Sequence, residues 1–214
     1  ASPNPGELLL QLLVQSRQYQ RVLNLGQDLL ADNPRSQQLL LAMARAFRGL
    51  DQIGPACKLY LAAVACDFEE CAIQEELAGF FFENGRIKEA LAFFADLVER
   101  DAFNANAYHG LGVCYQLMGH TETALEIYQY VLNLNPQMLG TLRNISHVYH
   151  VLMRPLEAIE AVSQVVKSAP EDLAASIQLA FFRRHIGDWS ESLDVYDLLG
   201  TNSNCGGASP FQIL

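Results

Sequence analysis

The strongest constraint on what this chain can fold into is a period of 34 residues. The stretch from Ala105 to Met138 reads A-x-x-Y-x-x-L-G-x-x-Y-x-x-x-G, then A-x-x-x-Y, then N-P. Tyr108, Leu111, Gly112, Tyr115, Gly119, Ala124, Tyr128 and Pro136 stand at positions 4, 7, 8, 11, 15, 20, 24 and 32 of that unit. A shift of 34 in either direction keeps the register without an insertion, which gives frames 3–36, 37–70, 71–104, 105–138, 139–172 and 173–206. Position 8 holds Ala44, Ala78, Gly112, Ser146 and Ala180, and position 20 holds Ala56, Ala90, Ala124, Ala158 and Ser192. Small residues recurring at two fixed places predict two helices that cross closely in each frame, because the side chains at a contact set how near two helix axes come. Tyr60, Phe94, Tyr128 and Tyr196 at position 24 are expected to fill the space between hairpins.

The punctuation agrees with this period. Gly85, Gly119 and Gly187 at position 15 mark the end of a first helix, where glycine is favoured. Pro34, Pro136 and Pro170 at position 32 stop the second, since proline cannot continue a helix. Pro55 and Pro155 fall in the first turn of a second helix, where a missing N–H costs little. Each frame is therefore expected to hold two helices of about 13 to 14 residues and a short turn. One such hairpin cannot bury its apolar face alone, so neighbours must stack. The first frame departs from the pattern, with Leu10, Val22 and Gly26 at positions 8, 20 and 24, as a terminal repeat does. The last has Arg183 at position 11 but keeps Gly187, Asp188, Trp189 and Tyr196.

These positions closely resemble the tetratricopeptide repeat. The resemblance implies an all-α fold, a right-handed superhelical α-solenoid of six helix-turn-helix repeats whose concave groove holds a protein partner. In that family, positions 2, 5, 6, 9, 12 and 13 of the first helix mostly face the groove. Carried onto this sequence, they give Glu7, Gln38, Arg45, Arg48, Glu75, Glu76, Glu83, Asn106, His109, Gln116, Arg143, Asn144, His147, His150, Arg184 and His185. The row is acidic in the third frame and basic and histidine-rich from the fourth onward. A polar row of this kind suits an extended peptide, whose backbone needs donors and acceptors along its length. His147 and His150 share one helix face, and His109 comes from the preceding frame. No carboxylate or cysteine completes an obvious metal set with them, so they read as groove histidines with pH-sensitive charge. The carboxylate clamp for chaperone tails needs Lys and Asn at positions 5 and 9 of one repeat, and no frame has that pair.

The 214 residues carry a formal net charge of −10 and a pI of about 4.9, and 50% of them are apolar. The apolar share provides for a sizeable core. The acidic balance argues against nucleic acid and anionic membrane as partners. Five cysteines (Cys57, Cys66, Cys71, Cys114 and Cys205) form no C-x-x-C pair and no zinc-finger spacing. That fits reduced thiols and a cytoplasmic location. The apolar start, Leu8-Leu9-Leu10 and Leu12-Leu13-Val14, lacks a basic leader and a cleavage site, so it does not read as a signal peptide. There is no G-x-x-x-x-G-K-[ST], no G-x-G-x-x-G after a strand and no H-E-x-x-H. No catalytic residue and no cofactor is assigned. Glu69-Glu70 and Glu75-Glu76 read as helix surface or groove charge.

After Gly200 the composition changes. Residues 201–214 read as a turn-rich linker, Thr201 to Gly207, followed by Ala208-Ser209-Pro210-Phe211-Gln212-Ile213-Leu214. The apolar end looks like the start of a further domain rather than a polar cap. Gly187-Asp188-Trp189 followed by Ser209-Pro210-Phe211-Gln212-Ile213-Leu214 resembles the junction in bacterial Spindly-type, O-GlcNAc-transferase-like proteins. There the repeats run into a glycosyltransferase domain. That resemblance implies a parent enzyme that transfers a sugar from a nucleotide sugar to protein Ser or Thr, with its catalytic site beyond Leu214. The asparagine ladder of O-GlcNAc transferases at position 6 is not kept, since Leu8, Ala42, Glu76, Gly110, Asn144 and Gln178 stand there and only Asn144 matches. A second resemblance runs from Phe82 to Tyr128. There G-R-I-K-E-A-L-A-F-F and H-G-L-G-V-C-Y-Q-L-M-G are similar to the cytoplasmic chaperones of type III secretion. A free-standing chaperone or scaffold is therefore the alternative, and exposed apolar residues on the outer helices would allow a homodimer.

Overall fold

The structure is a computed structural model and describes residues 5–67 and 70–188. Among them there are eleven helices and no strand: α1 (Pro5–Gln15), α2 (Tyr19–Asp32), α3 (Gln37–Gly49), α4 (Ile53–Cys66), α5 (Cys71–Glu83), α6 (Ile87–Arg100), α7 (Ala105–Leu117), α8 (Thr121–Leu134), α9 (Leu139–Val151), α10 (Pro155–Ser168) and α11 (Leu173–His185). From Gln37 onward the first helices have 13 residues and the second helices 14, and each kind starts anew every 34 residues. The second half of the frame 173–206, with Trp189, Ser192, Tyr196 and the tail from Thr201, lies outside the described residues, as do Glu69 and Cys205.

One backbone device closes every hairpin. The N–H groups of Gln18, Gln52, Arg86, His120, Arg154 and Asp188 donate to the carbonyls of Leu13, Phe47, Phe81, Tyr115, Tyr149 and Arg183, at 2.8 to 3.0 Å. Each such bond satisfies a carbonyl left over at the end of a first helix, and the closure requires a left-handed residue just before the donor. Gly85, Gly119 and Gly187 supply it with φ of 71°, 83° and 80°. The same place in the other frames holds Arg17, Asp51 and Met153, with φ of 56°, 58° and 58°. The glycine signal thus found half of these turns. In the others, packing on both sides imposes the conformation on residues that do not favour it.

The next frame's first helix is capped from position 34. Ser36 Oγ, Asn104 Oδ1 and Asp172 Oδ1 accept hydrogen bonds from the N–H groups of Leu39, Ala107 and Ala175. Each cap satisfies one donor that the helix itself leaves unpaired.

The chain forms two compact units, Ala1–Gly110 and Leu111–Leu214, with the boundary inside α7. In the first, α1 packs on α2 and α3, and α2 to α6 follow as a chain of neighbours. Its core begins with Leu10, Val22, Leu39 and Met43 and continues to the wholly buried Tyr60 and Leu77. Gly26 explains the irregular first frame, because a Cβ there would stand 2.7 Å from Cγ of Met43. Methionine from the second frame occupies the space that an aromatic ring fills elsewhere.

In the second unit α9 packs between α8 and α10, and α10 also meets α11. Tyr128, Ile145, Val148 and Ala161 form one apolar cluster, and Leu142, Val162, Val165, Leu179 and Phe182 another. A Cβ on Gly112 would lie 2.6 Å from Cε1 of Tyr128, so the small residue at position 8 is what admits the ring. Full burial of each such aromatic side chain contributes roughly 1.5–3 kcal/mol. Among the described residues, no helix is long and apolar enough to cross a membrane.

Candidate partner-binding faces

In the first unit the charged first-helix residues are matched to one another across neighbouring hairpins. Arg45 sits at position 9 and Glu76 at position 6 of the next frame. The guanidinium donates from Nε to Oε1 at 2.8 Å and from Nη2 to Oε2 at 2.6 Å. Tyr60, buried beneath them, donates its hydroxyl to Oε1 of the same carboxylate at 2.8 Å. Arg48 reaches both oxygens of Glu83 at 2.5 and 2.6 Å. Burial works to raise the Glu76 carboxyl, but the Arg45 guanidinium and the Tyr60 hydroxyl outweigh it and hold the carboxyl below its ordinary value. Burial and the Glu76 charge together push the Tyr60 phenol well above its ordinary range. These two tyrosine and glutamate groups therefore remain hydroxyl and carboxylate at neutral pH.

The other candidates in this unit are similarly placed. Glu75 accepts from Asn104 Nδ2 at 2.6 Å. Glu7 accepts from the Ser36 hydroxyl at 2.8 Å. Gln38 and Asn106 are exposed, whereas His109 is half-buried, and burial holds its imidazole below the ordinary value. Of the acidic and basic groups expected to meet a partner here, Arg45, Arg48, Glu76 and Glu83 already meet each other.

The second unit differs. Its first helices carry Arg143, Arg183, Arg184, His147, His150 and His185 and no carboxylate, whereas α8 and α10 carry Glu122, Glu126, Glu157 and Glu160 with Lys167. Arg143 pairs with Asp172, the cap of α11, at 3.2 Å. His147 is exposed, and its Nδ1 lies 3.3 Å from Nε2 of Gln116. Gln116 in turn accepts from the buried Tyr128 hydroxyl at 2.8 Å. Asn144, the lone match to an asparagine ladder, also hydrogen-bonds Tyr128. His150 lies against Phe182, with ring centroids 4.9 Å apart, and against His185 at 5.3 Å. Phe181 and His185 stack edge-on at 4.7 Å. Burial, then the charges of His185 and His147, hold the His150 imidazole below its ordinary value. Arg184 is exposed.

Sequence reasoning did not assign Tyr60, Tyr128, Phe181 or Phe182 to these faces. The signal for the two tyrosines was present, since position 24 is aromatic in every inner frame except 139–172. Their hydroxyls extend past the small residue of position 8 and reach the polar row. No group of three or more His, Cys, Asp or Glu among the described residues is placed to hold a metal ion. Cys57, Cys66, Cys71 and Cys114 are free thiols, and burial pushes Cys114 up to about 11.

A fold of stacked helical hairpins with polar first-helix faces defines the class as a protein-binding repeat protein. Residues 105–138 match the family model described as tetratricopeptide repeat. Solved structures are similar over nearly the whole chain. That of pilF from Pseudomonas aeruginosa has 15% identity and a TM-score of 0.80, covering 94% of this chain and 91% of its own. That of PilW, a type IV pilus biogenesis factor, also has 15% identity and a TM-score of 0.80, covering 95% and 96%. YrrB, a tetratricopeptide protein with an unusual peptide-binding site, has 17% identity and a TM-score of 0.64, covering 80% and 88%. No curated protein matches the sequence. The chain is an all-α tetratricopeptide repeat protein, and its fold is that of a protein–protein interaction module.

Proposed function

We propose that the first-helix face of the second unit holds an extended, carboxylate-bearing segment of a partner protein. The observation that carries this reading is the separation of charge in that unit: three arginines and three histidines on first helices with no acid among them. A peptide laid along that face meets side-chain donors from Gln116, Asn144 and His147 for its carbonyls, and Arg143 and Arg184 for its carboxylates. Selection from a random displayed peptide library on the purified protein tests it. Enriched peptides should be rich in Asp and Glu and should lose binding to a protein carrying both Arg143→Gln and His147→Gln. Equal binding to that double variant sinks the reading.

At a finer level, we infer that this face presents protein substrate to a glycosyltransferase domain in the cytoplasm, with a nucleotide sugar as donor to that domain. What supports this is the junction-like sequence Gly187-Asp188-Trp189 and Ser209-Pro210-Phe211. The genomic sequence downstream of Leu214 decides it: an α/β sugar-nucleotide domain is expected, and a stop codon rules it out. The competing proposal is a free-standing chaperone or scaffold, alone or as a homodimer. Its support is the match to PilW over 96% of that crystallised chain, which leaves no room there for a further domain.

A further inference from the structure

A second surface of the same unit has the opposite chemistry. Between α8 and α10, with α9 as its floor, lies a cleft of about 460 Å³. Leu142, Ile145 and Ala161 form an apolar bottom, and Glu157 and Glu160 stand on the α10 rim beside the ring of Tyr149. A volume of this size accepts more than one side chain. We propose that this cleft receives an arginine side chain, flanked by apolar residues, from a partner polypeptide.

The chain itself shows what the wall of the cleft attracts. The Arg154 guanidinium lies over the Tyr149 ring, 4.7 Å from its centroid, and donates from Nε to Glu157 at 2.9 Å. A planar cation thus already uses one carboxylate and the aromatic wall at the end of the cleft, which is how guanidinium groups bind where a ring and an acid converge. Glu160, one helical turn on, lines the same cleft but makes no ion pair among the described residues. With Arg154 offsetting Glu157, one negative charge remains over an apolar floor. An incoming arginine covers both, its methylene stem on Ile145 and Ala161 and its head group at Glu160. The surrounding field has the same sign, because Glu122 and Glu126 stand on α8 and Lys167 is the only basic residue of α8 and α10.

The test is an amide-shift titration of the isotope-labelled protein with acetyl-Leu-Arg-Leu-amide, with acetyl-Leu-Gln-Leu-amide as control. Saturable shifts at Ile145, Glu160 and Ala161 are expected with the arginine peptide and not with the control. Glu160 is exposed, so Glu160→Gln should leave the fold intact and weaken binding about threefold, as loss of an exposed ion pair does. Equal shifts with both peptides, shifts confined to first-helix residues, or an unchanged affinity in Glu160→Gln would overturn the proposal. Shifts at these same amides on concentrating the protein alone would also overturn it, by showing that a second copy fills the cleft. The Arg143→Gln and His147→Gln variant should bind the arginine peptide normally, which keeps this result separate from the fate of the first-helix face.

Discussion

The hydroxyl of Tyr60 donates to Oε1 of Glu76 at 2.8 Å from a ring that has no exposed surface. Two frames on, the equally buried Tyr128 makes the same reach to Gln116 Oε1, also at 2.8 Å. Hydrogen bonds to charged groups contribute about 1.5–3 kcal/mol and neutral ones about 0.5–1.5 kcal/mol. Chemical denaturation should therefore show Tyr60→Phe losing more stability than Tyr128→Phe. The reverse order would mean that the Arg45 and Glu76 pair is satisfied without the phenol.

The glycines of the first helices split by sign. Gly112 has the Tyr128 ring within 2.6 Å of where a Cβ would stand, while nothing lies within 4 Å of one on Gly79. Gly112→Ala should cost about 1–3 kcal/mol by overpacking. Gly79→Ala should add about 0.5–1 kcal/mol, since alanine orders a helix interior at less entropic cost. Thermal unfolding of the two variants is the check, and a shared sign would contradict the packing described for position 8.

Met153 holds a left-handed backbone with a side chain that is 84% exposed. It therefore bears the strain of that conformation with little packing in return. Met153→Gly should raise stability by about 1 kcal/mol, whereas Met153→Ala should bring no gain. An unchanged midpoint in the glycine variant would show that the turn is not strained.

Stability should fall on mild acidification. His109 and His150 are both held below the ordinary imidazole value of 6.5, His109 by burial and His150 by burial and then by His185 and His147. The unfolded chain then binds protons that the folded chain resists, so stability is complete above about pH 6.5 and declines as pH drops below it. The lowered carboxyls of Glu76, Glu89 and Glu157 add their own loss only below their ordinary value of 4.5. The melting temperature should drop between pH 7.5 and 5.5, and drop less in His150→Gln. Superimposable profiles for the two proteins would remove His150 from the account.

Most of the architecture was legible because spacing encodes it. Small residues at positions 8 and 20 fixed where helices touch, and the period fixed where they start. The left-handed turns at Arg17, Asp51 and Met153 were not legible, since nothing in those side chains calls for positive φ. They follow from the closing hydrogen bonds and from the helices on either side. The matched charges of the first unit were hidden for another reason. Arg45 and Glu76 look like separate groove residues until position 9 of one frame is set beside position 6 of the next. Exposure to a partner was read from each helix alone, and the pairing is a property of two.

The division of charge in the second unit gives it a permanent electric dipole, with cations on α9 and α11 and glutamates on α8 and α10. Within a Debye length of about 8 Å at physiological salt, a charged polypeptide experiences a torque before it makes contact. An acidic segment and a basic one are then turned toward different sides of the same hairpins. Encounter rates with the two should fall together as salt is added, while the order of preference on each side is preserved.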